Sequence, residues 1–563
     1  MIEQDKNPEN FNELEQPDKP SDNENAYLSN NSGGVNNGYF PYPAFSPTPY
    51  KRIDQDEIFE QITNRQTFIV VILCWIFGIL FAELFLAGGF GLSVPILTAV
   101  FYAIVFWYLT KKNVKISKSS LVLLIPIALL SLGYFVQDNE TTYLINTLLL
   151  LALIPLQLCH MSKASYGLMF SLQSVYDTLV SFIARPLIYL DIPFKAVGKN
   201  IGKKAKSSNS TMIILGLVIS LPLAALFLSL FIKADEVFGF LANEIYGNLN
   251  ISFGRIYFDL IFGTGTAIFI ASWLITLRAR KTPEKKVISL GSGINGILTA
   301  TVFIIIDLIF ILFVLIQLGY LFAGIELPGG MSYANYARSG FFELCGVLCI
   351  SVIIIMICLI FVQKNDKNRL PGYVSFLLSV FILCNYVLIA SSAYRMITYI
   401  SAYDLSEKRV MVTWLDAVFA ICMVGAIIKI WCPKFKAFGF TALTVIIMSV
   451  ALNAVNVKTL IADYNVNKYL ESRAASTERE IDVEYLGDLG PSAVEATHRL
   501  YLNSDYEIKD RALKSLKVQE TLLSYKTWKN YSLSDIHASR LLRQINLPDY
   551  NQSTDSTVSS RAF

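Results

Sequence analysis

The chain has 563 residues, 54% of them hydrophobic and only 16% charged, with a mean hydropathy of +0.48 and a formal net charge of +3. A soluble globular protein carries about 25% charged residues, so much of this surface must face something other than water. The near-neutral charge excludes the broad basic signature of a nucleic-acid binder.

Residues 1–66 read as a disordered cytoplasmic region. The first part is rich in Asn, Pro, Ser and acids and poor in aliphatics. The stretch from Tyr39 to Tyr50 alternates aromatics with prolines, as extended polyproline-like chain does. Met1 to Asn25 contain no apolar core of a secretory signal, so the first hydrophobic helix is expected to act as an uncleaved signal anchor.

A membrane helix needs roughly 20 apolar residues. The apolar runs place such helices at about 67–87, 92–110, 120–136, 141–160, 210–232, 256–277, 295–321, 340–362, 372–394, 409–431 and 437–455. The expected fold is therefore all-α, a polytopic bundle of about 11 helices over 67–456. Alternate loops carry the basic residues: Lys111, Lys112, Lys115 and Lys118; Lys195 through Lys206; Arg278 through Lys286; Lys364, Lys367 and Arg369; Lys434 and Lys436. The loops between them are poor in Lys and Arg. The positive-inside rule then puts the N-terminus in the cytoplasm and the C-terminus outside. The loop after the ninth helix fits least well, because it would hold Arg395, Lys408 and Arg409.

Residues 162–207 read as an interfacial amphipathic helix and not as a span. Leu168, Met169, Leu172, Val175, Tyr176, Leu179, Phe182 and Ile183 share one face, and Pro186 is expected to end the helix. The basic segment 195–206 is expected to meet anionic headgroups of the lipid bilayer. Beyond Asn456 the chain turns polar and forms a helical C-terminal region, 457–563, with a disordered tail. Helical periodicity runs over 459–474, 492–502, 507–527 and 534–545, with Leu460, Ile461, Tyr464, Tyr469 and Leu470 as one apolar face.

Motifs of soluble catalysis are missing. The Gly291–Gly296 stretch matches a dinucleotide fingerprint in letters, but it joins two membrane helices where a strand is required. Gly198 to Lys203 is too short for a phosphate loop. The three histidines, His160, His498 and His537, are far apart, and the eight cysteines sit in or beside apolar runs as buried small hydrophobes. No cofactor, metal or catalytic residue is assigned.

The informative residues are ionisable groups within or beside the apolar runs: Glu83, Asp259, Asp307, Arg338, Glu343, Arg395 and Asp416. A charge in the bilayer centre costs about 2.5–3.5 kcal/mol even on the lenient insertion scale. Such groups are expected to face other helices and to pair, as Arg338 or Arg395 with Glu343 or Asp416. Asp307, flanked by Ile304, Ile305, Ile306, Leu308 and Ile309, is expected to turn inward, protonated or bonded to a polar group. Their placement also suits an outward-facing polar cavity.

One stretch is more specific, Tyr336-Ala-Arg-Ser-Gly-Phe-Phe-Glu-Leu344 at the opening of a helix. Two others accompany it: Arg395 to Arg409, and Ile461 to Leu470. Together they resemble the motifs of a bacterial family of multi-pass membrane proteins catalogued as domain of unknown function four-one-seven-three, and its relative four-one-five-three. Asp404, Ser406 and Lys468 stand where that pattern has Gly, Thr and Arg, which argues against an identical backbone turn at 404. The resemblance spans the fifth helix to about Ala496 and implies a multi-pass protein of the cell membrane without supplying an activity. The sequence reading is a non-enzymatic sensing, scaffolding or assembly role in the envelope. Its alternatives are a secondary transporter using the buried acids, and a membrane enzyme acting on lipid-linked glycans through Arg338, Glu343 and Asp416.

Overall fold

The computed structural model describes residues 55–86, 89–110, 117–165, 167–204, 220, 227, 231, 253–279, 293–322, 341–365, 367–476, 479–545 and 547–548. All lie in the unit Pro47–Phe563. Ten helical segments among them are long and apolar enough to cross a membrane. They are α2 (Arg65–Phe81, prolonged to Leu86 by a π turn), α3 (Ser93–Thr110), α4 (Leu124–Val136, preceded by a 3-10 turn), α5 (Glu140–Met161), α9 (Phe253–Ala279), α10 (Gly296–Phe322), α11 (Phe341–Phe361), α12 (Gly372–Tyr403), α13 (Glu407–Trp431) and α14 (Ala437–Ala454). The chain is an all-α, multi-pass membrane protein. Of the expected span at 210–232 only residues 220, 227 and 231 are described, all three helical.

Each span matches an apolar run to within a few residues except α12, which continues to Tyr403. Arg395 is therefore a buried helix residue and not part of a loop, which leaves Lys408 and Arg409 as the basic residues at that turn. Asparagines start the helices where the chain leaves the apolar phase. Asn64, Asn139 and Asn456 each accept a bond from a first-turn amide, satisfying donors that a helix start leaves open.

The spans pack as two cores. The first joins α2, α3, α4, α5 and α9. Here α2 and α9 meet at glycines: a Cβ on Gly78 would stand 2.1 Å from the Gly263 carbonyl, so only a missing side chain permits the approach. Small residues at such crossings let backbones pack closely where no hydrophobic force drives helices together. At one end of this core Arg278 donates to Gln66 at 2.7 Å and covers the Tyr108 ring at 4.4 Å. The second core joins α10, α11, α12 and α13.

Between α5 and α9 the chain forms α6 (Leu172–Leu179), a π turn (Val180–Ala184), α7 (Arg185–Ile188) and α8 (Ile192–Lys204). Pro186 does not end the helix. A proline removes an intrahelical donor and crowds the carbonyl four residues back, and the wide turn just before it absorbs both effects. The buried residues of α6, the π turn and the start of α7 include the polar Ser174, Thr178, Ser181 and Arg185, while Tyr176, Leu179, Ile183 and Leu187 are exposed. Ser272 of α9 donates to the carbonyls of Pro186 and Tyr189 at 3.1 and 2.8 Å. The phosphate-loop-like stretch at 198–203 is part of α8. A short helix, α1 (Gln55–Ile62), falls inside the stretch expected to be disordered, because Ile62 is buried in the first core. Residues 1–54 lie outside the described residues.

The C-terminal unit comprises α15 (Val457–Ala474), α16 (Val483–Asp488), α17 (Val494–Asn503), α18 (Tyr506–Tyr525) and α19 (Leu533–Gln544). Its core is Ile461, Val466, Leu486 and Leu500 with their neighbours. The buried face of α15 is Val457, Ile461, Ala462, Asn465, Val466 and Tyr469. Leu460 and Tyr464 of the expected apolar face are exposed. Among the cysteines, Cys349 and Cys432 are exposed and Cys345 is half-buried, so burial holds for five of the eight.

Candidate functional site

The expected cluster of ionisable residues divides between the two cores. In the first, the π turn at the end of α2 presents Glu83 to Arg255 at the start of α9. The guanidinium grips it at both oxygens, Nε to Oε2 at 2.9 Å and Nη2 to Oε1 at 3.1 Å. Such bidentate pairs are geometrically selective. Lys529, from a 3-10 turn between α18 and α19, donates to the same carboxylate. Asp259, one turn beyond Arg255 on α9, is 8% exposed and sits beside Glu83.

In the second core, Ser391 and Arg395 share one face of α12, four residues apart, as helical geometry dictates. Both donate to Gln317 Oε1 of α10, at 3.1 and 2.6 Å. Ser392, on the adjoining face, donates to Asp416 Oδ2 of α13 at 2.6 Å. An ion pair between Arg395 and Asp416 is not among those of the described residues; Gln317 meets the first and Ser392 the second. Asp307 lies ten residues before Gln317 on α10, about 15 Å along the axis at 1.5 Å per residue. It is 4% exposed, and its two buried oxygens make no hydrogen bond among the described residues. Glu343 is exposed on the first turn of α11. Arg338 lies outside the described residues.

The densest polar assembly joins the spans to the C-terminal unit. The turn between α12 and α13 is held at Asp404, whose φ is +64°. This is a conformation that glycine adopts freely and other residues rarely do. The Asp at 404 therefore stands in a glycine-like turn. The Asp404 carboxylate receives Arg479 and Lys468, the latter at 3.4 Å, and Arg409 donates to the carbonyls of Tyr403 and Asp404 while its guanidinium lies 4.1 Å over the Tyr399 ring. Asn465 of α15 bonds Leu405 through both its side-chain atoms. Tyr485 accepts the Glu407 amide at 3.0 Å.

The turn between α4 and α5 is fastened likewise. Gln137 donates to the Leu452 carbonyl at 3.4 Å and accepts the Val457 amide at 3.3 Å. Lys526 bridges Asp138 at 2.7 Å and Asp535 at 2.9 Å. Burial alone would lower the Lys526 pKa, but the carboxylates of Asp138 and Asp535 outweigh it and hold the ammonium above the ordinary lysine range. Just inside the bilayer, Asn146 and Asn453 form a reciprocal amide pair, 2.8 Å in each direction. Sequence reasoning missed Arg255, Gln317, Lys526 and Lys529, and noted Asp404 only as a departure from a motif. Of these only Gln317, an amide inside an otherwise apolar run, carried a local signal.

Among the described residues no group of three or more His, Cys, Asp or Glu is placed to hold a metal ion. The family model described as "Domain of unknown function (DUF4153)" matches residues 124–500, from α4 through most of α17. It is the relative, four-one-five-three, that the chain matches, and the match starts two spans earlier than the motifs indicated. No curated protein and no solved structure matches the chain.

Proposed function

We propose that this chain, which belongs to the DUF4153 family, is a membrane-anchored platform holding its C-terminal helical unit on the extracytoplasmic face for docking or assembly of envelope components. The junction carries this reading. The turns at 137–139 and 404–407 and the end of α2 are locked to α15, α16 and the α18–α19 connection by ion pairs and amide bonds. Such fixing suits a platform more than a tethered, freely moving domain. The unit also exposes large side chains away from its own core: Leu502, Tyr506, Tyr525 and Trp528. The orientation rests on loop charge. Lys118, Lys163, Lys364, Lys434 and Lys436 gather at the end of the bundle opposite the unit, which the positive-inside rule makes cytoplasmic.

A second reading, movement of protons or cations through the second core, is supported by the two buried Asp307 oxygens that make no hydrogen bond among the described residues. Intramembrane acids of this kind mark ion pathways in transporters. The glycan-enzyme reading has least support, since Glu343 is exposed on α11 while Asp416 is buried against α12.

Complementation separates the first two. In cells deleted for this chain and scored for envelope integrity, the double variant Asp307→Asn, Asp416→Asn is expected to restore function fully. A variant with Tyr506→Ala, Tyr525→Ala and Trp528→Ala is expected to fail at normal membrane abundance. The opposite pattern would reject the platform in favour of transport.

A further inference from the structure

A cleft of about 450 Å³ opens where α4 and α14 leave the bilayer beneath α19. Its walls include Val136 and Ala454 from the spans and Leu533, Ile536, His537 and Arg540 from α19. Two exposed stripes lead into it. On α4, Ile125, Leu129 and Leu132 are exposed and continue at helical spacing to Val136. On α14, Leu443, Ile447 and Ala451 are exposed and continue to Ala454. The two helices are packed together and run in the same direction, their approach set by Gly133 against Asn453. In a membrane-spanning chain, exposed apolar stripes face lipid tails. The two stripes end at Val136 and Ala454, the residues through which the spans line the cleft.

The upper wall has a different chemistry. His537 Nε2 lies 3.2 Å from Oε2 of Glu495, the one acid that lines the cleft. Arg540 is exposed and makes no ion pair among the described residues. Leu533 and Ile536, both exposed, line the cleft with it. An apolar floor reached from the acyl layer, closed above by an uncommitted guanidinium, fits an amphiphile with a phosphate. Arg binds phosphate oxygens in a bidentate fashion, and the free positive charge favours a lipid with net negative charge.

We infer that this cleft is a seat for one anionic phospholipid, its phosphate on Arg540 and its acyl chains along the α4 and α14 stripes. The inference rests on the membrane placement of these helices and not on the docking role. A lipid held there would fill the gap between the spans and α19.

The test uses the full chain purified in detergent, with native mass spectrometry reading retained lipid after incubation with phosphatidylglycerol or phosphatidylcholine. Phosphatidylglycerol is expected to be retained as a single adduct in preference to phosphatidylcholine. Arg540→Gln is expected to reduce retention about tenfold, the effect of losing roughly 1.4 kcal/mol of binding. Ala454→Phe, which blocks the groove without touching the charge, is expected to reduce it as well. Arg543→Gln, also exposed on α19 but outside the cleft, is expected to change nothing. Unchanged retention in both Arg540→Gln and Ala454→Phe would overturn the proposal. So would equal retention of phosphatidylcholine, or displacement of the lipid by millimolar inorganic phosphate, which would make this a plain anion site.

Discussion

The side chain of Asn465 grips the backbone of Leu405 from both sides: the Leu405 amide donates to Oδ1 at 2.9 Å, and Nδ2 donates to the Leu405 carbonyl at 3.0 Å. Sixty residues of sequence separate the two, and the contact joins Lys468–Asp404 in tying the α12–α13 turn to the first helix of the C-terminal unit. Asn465→Ala leaves two backbone groups of a half-buried turn unmet. It should weaken the junction by about 1–3 kcal/mol. Hydrogen exchange at Leu405 is the readout, and faster exchange there than at Leu500 in the unit's core is the expected result.

Asp404 separates a backbone effect from a charge effect. Its φ of +64° is one that a side chain resists and glycine accepts. Asp404→Gly loses the carboxylate met by Arg479 and Lys468 but relieves the backbone. Asp404→Ala loses the carboxylate and keeps the strain. The alanine variant should therefore be the less stable of the two, by about 1 kcal/mol. Equal stabilities in thermal unfolding would show that the turn relaxes in solution.

Gly133 faces Asn453 so closely that a Cβ would lie 2.1 Å from Asn453 Oδ1. Gly133→Ala should break the Asn146–Asn453 amide pair, leaving buried amide groups unmet, at a cost of about 1–3 kcal/mol. Asn453→Ala in the same background should add little further loss, since the pair is already broken. Additive losses in the double variant would contradict this coupling.

The Lys526 bridge sets a pH dependence. Its folded pKa is raised above the unfolded value of about 10.4. A raised cationic group contributes stability that is fully present below the unfolded pKa and is lost as pH rises through the folded pKa. The junction should thus be insensitive to this group from pH 7 to about 10 and loosen only above that. Lys526→Met should abolish the alkaline step in protease release of α19. A step that persists unchanged in the variant would assign it to another group.

The spans were legible because lipid imposes one strong rule, a run of about 20 apolar residues, and residues such as Ile304 to Ile309 obey it plainly. The end of α12 was not, because Arg395 reads as the start of a polar loop until Gln317 of α10 is seen to meet it. Glu83, Asp259, Asp307, Arg395 and Asp416 were legible one by one, and their partners were not. Glu83 meets Lys529 across 446 residues of sequence, and Asp138 meets Lys526 across 388, distances that no local pattern encodes. The face of α15 was misread by a fraction of a turn, since Leu460 and Tyr464 are as apolar as the Ile461 and Val466 that the fold buries. Periodicity finds a helix more readily than it finds which side of it will be covered.

The central claim is that the C-terminal unit sits outside the cell, at the end of the bundle opposite the basic loops. It is tested most directly by sided thiol labelling. In a background with all eight cysteines replaced, Tyr506→Cys places a thiol at a position that is 88% exposed on the unit, and Lys434→Cys places one in the loop between α13 and α14. A membrane-impermeant maleimide applied to intact cells should label the first at once and the second only after permeabilisation. Labelling of Lys434→Cys in intact cells, with Tyr506→Cys protected until the membrane is opened, would contradict the account.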